Sequence, residues 1–377
     1  MNNSRELFRN CYDGKCKDQF CLFEQGLWPE TYDRWYSEGL PKNLPDNVFK
    51  NVENAIVGQT TEVYEYLNIL WPCYLPINYQ PVPSQAKVLE DDEANNVRTC
   101  LDAWGTKLKT RIHGASLPQY LDWPVKSISD WEKYNELFKC PVEKRLPKNW
   151  DEVAGKIRKQ THGVVFVHAI GMFAFPREVM GLESLLMTFF DNPALIERML
   201  DDRLEYYFRT YEKPIKDTNP DVAFIWEDMS YVHGPLLSPE FCRQYLLPRY
   251  KKLCGFFKDM GITRIIVDSD GDVKSLIPIW REAGVNGMLP FEVKAHNNVE
   301  ELTEQFPDMV FIGGIDKHEI AKGKDAIHKE LNRRLPKTFG RGNYIPSLDH
   351  WIPPDISFSD YCYYRDSVLN YHKNAKK

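Results

Sequence analysis

Several short apolar runs in this chain end on a side chain that can carry charge or hold a proton. VVFVHA (164–169) carries His168 near its end, and AFIWED (223–228) ends on Glu227 and Asp228. RIIVDSD (264–270) holds Asp268 and Asp270, and GMLPFEV (287–293) holds Glu292. MVFIGGIDK (309–317) ends on Asp316 and Lys317, and NYIPSLDH (343–350) on Asp349 and His350. A single Asp at such a place is an ordinary cap for the next helix, and Asp268, Asp272 and Asp316 can each be read so. The whole set asks for more. Glu227–Asp228 and Asp349–His350 directly follow apolar residues, where an unpaired charge is costly without a partner or ligand. Glu227, Asp228 and His350 have the chemistry of acid/base and substrate-orienting groups. Residues i and i+2 of a strand point the same way, so Asp268 and Asp270 are placed to grip a cation or a cationic ligand. His350 would complete a divalent metal set such as zinc with those two carboxylates. His168, Glu292, Asp316 and Lys317 fall at matching addresses as substrate-binding or supporting groups. Tyr344 and Trp351 neighbour them and are suited to stack on a planar ligand, as is Trp226, which reads more simply as core.

Other chemistries lack their residues. There is no GxSxG and no Cys beside a His at a strand end, which argues against nucleophilic acyl transfer. Neither GxGxxG after the first strand nor GxxxxGK[ST] occurs, so no nucleotide fingerprint is present. Asp316-Lys317-His318-Glu319-Ile320-Ala321 mimics the corrinoid-binding pattern D-x-H-x-x-G, but position 321 is Ala and too little chain follows for a corrinoid-binding domain. A balance of 48 Lys and Arg against 54 Asp and Glu, with no dense basic tract, argues against nucleic acid or an anionic membrane as the main partner. No apolar run reaches the roughly 18 residues of a membrane span, and the N-terminus has no leader-like apolar core. Nine cysteines, an odd number without a CxxC, predict free thiols in a reducing cytoplasm.

The elements that must position these groups are legible from residue 126 onward. Amphipathic helical stretches alternate there with short apolar runs, the pattern of successive βα units and a parallel sheet. A long helix is predicted after Asn192, a suitable cap. The repetition favours an α/β fold of the (β/α)8 TIM-barrel type over an open sheet, with the catalytic rim at the C-terminal strand ends. Residues 86–125 read as an antiparallel, strand-rich stretch. The division predicted is a 1–125 N-terminal arm and cap packed on a 126–377 barrel core, together one domain.

Six segments carry a family resemblance: GLWPETYDRWYSEGLP, FPREVMGLESLLMTFFDNPALIERML, WEDMSYVHGPLLSPEF, VDSDGDVKSLIPIWREAGVNGMLPFEV, GGIDKHEIAKGKDAIHKEL and YIPSLDHWIPPDIS. In them the chain, from about residue 20 to its end, resembles the uroporphyrinogen decarboxylase (URO-D) superfamily, which implies a (β/α)8 barrel with N-terminal additions. True decarboxylases of that superfamily bind an octacarboxylate tetrapyrrole through an arginine-rich N-terminal motif of the RQAGRY type. Only Arg5, Arg9 and Arg34 occur in the first 50 residues here, and the motif is missing. The corrinoid-dependent methyltransferase branch is the nearer match. Its zinc motif, H-x-C plus a distant Cys, falls on Asp268, Asp270 and the neighbourhood of His350, with both sulfurs replaced. The resemblance therefore implies an enzyme of methyl (one-carbon) transfer, working with a separate corrinoid protein and a small-molecule methyl donor or acceptor, and permits a homodimer. Tetrapyrrole decarboxylation and non-catalytic tetrapyrrole or corrinoid binding are the alternatives.

Overall fold

The apolar runs form a seven-stranded parallel sheet in a computed structural model that describes residues 4–44, 61–113, 117–161 and 163–374. β1 (Pro72–Tyr74) comes first in the chain. β2 (Lys87–Asp92), β3 (Val97–Leu101), β4 (Lys107–Arg111) and β5 (Gln119–Asp122) then make a separate antiparallel sheet, where the sequence reads as antiparallel and strand-rich. β6 (Val164–Ile170) and β7 (Val222–Trp226) resume the main sheet. A small hairpin, β8 (Ser230–Tyr231) with β9 (Gly234–Pro235), precedes β10 (Arg264–Asp268), β11 (Gly287–Leu289), β12 (Val310–Ile315) and β13 (Tyr344–Leu348). The spatial order is β1-β6-β7-β10-β11-β12-β13. The segment before residue 126 thus supplies a main-sheet strand as well as the antiparallel sheet. Near-continuous apolar sequence suits strands buried on both faces, and β6 is buried throughout except at His168.

Helices separate the strands, and their boundaries follow local chemistry. The Asn192 side chain accepts a hydrogen bond from Leu195 N (3.3 Å) and starts the long helix Pro193–Thr218, which ends at Asn219 in the left-handed region. Side chains on one face of the sheet meet these helices in a large apolar cluster; those on the other form a second cluster containing Phe166, Phe224, Ile266, Ile312 and Ile345. Phe8 and Tyr12 of the N-terminal helix Ser4–Tyr12 pack into that second cluster and cover the N-terminal strand ends. Asp221, just ahead of β7, fastens the helix: its carboxylate takes Arg5 Nε (2.7 Å), Arg9 and the Val165 amide (2.8 Å).

Residues 22–28 join the sheet's two edges. Glu24 N donates to Leu70 O (2.9 Å) and Leu70 N to Leu22 O (2.8 Å), ahead of β1. On the other side Phe23 N donates to Pro346 O in β13 (3.2 Å), and Ile352 N to Gly26 O (2.9 Å). Both edges of the curled sheet are therefore paired rather than exposed. The two-residue period of an extended chain sends Gln25 to the inner face and Glu24 outward. Glu24 is fully buried there, accepting from Ser347 Oγ and Leu348 N (3.2 Å each) and from Tyr361 (3.4 Å). Burial pushes its pKa from 4.5 up to about 8 against the pull of those hydrogen bonds.

That shift fixes a pH dependence of stability. The folded state binds the Glu24 proton more tightly than the unfolded state, so the stability this group contributes is complete below 4.5 and lost as pH rises through about 8. Glu24→Gln, which keeps the shape and drops the charge, is expected to flatten that decline. Melting temperatures of both proteins between pH 4.5 and 8.5 check it; parallel curves would contradict it. Among the described residues no helix is long and apolar enough to cross a membrane.

Candidate active site

A cavity of about 510 Å³ opens at the C-terminal ends of β6, β7 and β10. Strand register builds its inner wall: His168 pairs with Phe224, and Trp226 with Asp268, so these side chains share one face. Asp270, two residues beyond Asp268 and past the end of β10, lines it too. Gln25 and Trp28 enter from the edge-joining segment, and His350 and Trp351 follow β13. Tyr74, Tyr79, Trp104, Ile170, Glu178 and Asp228 complete the lining.

The carboxylates crowd one another. Asp268 sits well above the ordinary carboxylate range, first because it is buried and then because Asp270 and Asp228 face it; a hydrogen bond from Gln25 opposes the shift. Asp228 is raised by burial and by Asp270, and Arg177 counteracts. Its backbone is left-handed (φ 47°), an uncommon state for a non-glycine residue. Arg177 holds it there by donating to the Asp228 carbonyl, with Nη2 at 3.9 Å from Oδ2 and the guanidinium 5.3 Å from the Trp226 ring centroid. Glu178 is also raised, by burial and then by Asp102 and Asp228, with Arg177 opposing.

The two histidines differ. His168 is pushed down to about 3 by burial and by Arg203, so it is neutral. Its Nδ1 is buried with no hydrogen-bond partner among the described residues. His350 is raised: burial works against its charge, but the hydrogen bond and negative charge of Asp270 outweigh it. Nε2 lies 3.5 Å from Asp270 Oδ2, and the ring stacks on Trp28 at 6.4 Å between centroids.

Six of the predicted site residues meet in this cavity: His168, Asp228, Asp268, Asp270, His350 and Trp351. Five do not line it. Glu227 points the other way and is fully buried, accepting from the amides of Met172 (2.7 Å), Phe173 (3.0 Å) and Ala174 (2.9 Å) at the start of helix Ala174–Met180. Those bonds order the β6–helix turn behind the cavity, and burial lifts the Glu227 pKa to about 7 against them. Glu292 accepts from Gly271 N (3.0 Å) and steadies the turn after Asp270. Asp316 caps the short helix Lys317–Ile320 through His318 N (2.9 Å), the capping role its sequence position allows. Lys317 Nζ is 3.4 Å from Asp349 Oδ1, and Asp349 is fully buried beneath it. Tyr344 begins β13, at the far end of the strand, and its hydroxyl donates to Gly313 O (2.8 Å) in the core. Among the described residues no three His, Cys, Asp or Glu side chains are grouped to hold a metal ion. No step below runs through a metal.

No known family model matches the chain, and no curated protein does. The fold is similar to that of a methyltransferase from Methanosarcina mazei. The two structures superpose with a TM-score of 0.63 over 99% of each chain, at 14% sequence identity. Likeness at that identity is a statement about architecture.

Proposed function

We propose that this chain is a methyltransferase of the uroporphyrinogen decarboxylase superfamily, moving a methyl group between a separate corrinoid protein and a small molecule held in the cavity at the C-terminal strand ends. The observation that carries the reading is the set Asp228, Asp268, Asp270 and His350, gathered around an aromatic-walled cavity on a fold shared with a methyltransferase. With residues 22–28 as the eighth stave between β13 and β1, the curled sheet reads as a (β/α)8 barrel, and the cavity then lies where such barrels keep their active sites. A tetrapyrrole with eight carboxylates is poorly matched to this wall, because it requires guanidinium partners and meets carboxylates instead.

The partner's corrinoid supplies or receives the methyl group. The chain's own residues hold the other substrate, orient it and exclude water, which is the help that methyl transfer needs most. Asp270 keeps His350 charged and fixed against Trp28. Asp268, at the end of β10, is placed to contact and orient the substrate.

The His350–Asp270 pair gives this reading a pH signature. A histidine with a raised pKa stays charged above 6.5 and loses its charge as pH rises through the raised value. kcat/KM for methyl transfer, assayed with free methylcobalamin or reduced cobalamin in place of the corrinoid protein, is expected to fall along that alkaline limb. Asp270→Asn should move the limb to lower pH, and His350→Gln should erase it with a rate loss of about 100-fold. A limb that stays in place in Asp270→Asn sinks the assignment.

A further inference from the structure

The cavity combines two properties that are seldom found together by chance. Its wall is rich in aromatic rings, with Trp28, Tyr74, Tyr79 and Trp104 among those not contributed by the strand ends singled out above. It also carries four acidic side chains, Glu178, Asp228, Asp268 and Asp270, with His350 beside Asp270. An anionic ligand would be repelled, and a neutral apolar one would leave these buried acids without a partner, whereas a cation favours their charged form. Among the described residues no three His, Cys, Asp or Glu side chains are grouped to hold a metal ion. Two further polar atoms of the lining, Gln25 Oε1 and His168 Nδ1, are buried with no hydrogen-bond partner among those residues.

We propose that the cavity binds a small methylated ammonium compound, its cationic nitrogen set among the aromatic rings and facing Asp268 and Asp228. Rings present a negative face to a cation, and a quaternary ammonium, which is weakly hydrated and has no N–H to satisfy, is the cation aromatic cages recognise best. The volume of about 510 Å³ accommodates such a molecule and leaves room toward the opening. This inference rests on the methyltransferase reading and names its substrate class.

The chemistry balances in that setting. The bond from the methyl carbon to nitrogen breaks and leaves its electron pair on nitrogen. The new bond to carbon uses the electron pair of the acceptor, a reduced corrinoid nucleophile brought by the partner protein. The ammonium becomes a neutral amine, so the carboxylates lose the charge they recognised and the product leaves.

Binding tests this without any corrinoid. The full-length protein is titrated calorimetrically with choline and with 3,3-dimethyl-1-butanol, its uncharged carbon isostere, at constant ionic strength. Choline is expected to bind saturably and at least tenfold more tightly than the isostere. Asp268→Asn should weaken choline at least tenfold and leave the isostere unchanged. Trp28→Ala, at a residue 43% exposed and dispensable for the core, should weaken choline similarly with the circular dichroism spectrum retained. Equal affinity for the two probes, no saturable choline binding, or choline affinity untouched in both variants overturns the proposal. Methyl transfer from a neutral O-methyl donor without choline binding would sink this inference alone. Choline binding without any methyl transfer would sink the enzymatic reading and keep the site.

Discussion

Asp268→Asn is expected to cost methyl transfer at least 100-fold while making the protein more stable at pH 7. Burial, followed by the charges of Asp270 and Asp228, raises the Asp268 pKa well above 3.8. Folding must therefore draw a proton onto this carboxyl or bury its charge, a penalty that grows as pH rises from 3.8 through the folded-state pKa. Asparagine has the same shape, can still pair with Gln25 and carries no such penalty. A gain of about 1–2 kcal/mol and a melting temperature a few degrees higher follow. The loss of rate is that expected on the proposed function when a group that orients the substrate is removed, roughly 100-fold. Melting curves and initial rates at pH 5 and pH 7 read both signs, and the stability gain should shrink at pH 5. A variant that is less stable than the parent at pH 7 would show that Asp268 is a structural group.

Gly171→Ala is expected to unfold the protein outright or come close to it. A methyl group at position 171 would overlap the carboxyl of Glu227, which is fully buried and has nowhere to go. Displacing Glu227 leaves the amides of Met172, Phe173 and Ala174 without their acceptor at the start of a helix. Each unpaired buried amide costs about 1–3 kcal/mol, so a total on the order of 4 kcal/mol is expected. The same turn leads into Arg177, which holds Asp228 in its left-handed conformation, so whatever folds should also bind ligand poorly. Urea denaturation monitored by circular dichroism measures the loss. A midpoint within experimental error of the parent's would mean that Glu227 does not anchor this turn.

Much of the site was legible because charge interrupts apolar sequence at strand ends. His168, Asp228, Asp268, Asp270 and His350 all announced themselves that way, and the structure brings them to one cavity. Glu227 gave the same signal, but it directly follows Trp226, which β7 turns inward, so the alternation sends Glu227 out, while the left-handed turn at Asp228 leaves that residue on the cavity wall. Asp316 and Glu292 end strands as well, yet their side chains are taken up by local amide groups, a competition that spacing alone does not resolve. Tyr344 was placed by proximity to Asp349 and His350, although it begins the strand they follow. Gln25 and Trp28 were not legible as site residues, because the segment that carries them makes isolated bridges to both sheet edges and shows no strand pattern of its own. Tyr74 sits in a strand of three residues, too short for periodicity to register, and the Glu178 carboxyl reaches the cavity from the helix behind β6.

On the proposed function, a methyl group changes hands in the cavity between His168, Asp268 and His350. The most direct test is a single-turnover assay with an isotopically labelled methyl donor and reduced cobalamin, comparing the parent protein with the double variant Asp268→Asn, Asp270→Asn. Label is expected on cobalamin within the first turnover of the parent, with transfer at least 100-fold slower in the variant. Equal transfer by both proteins would contradict it.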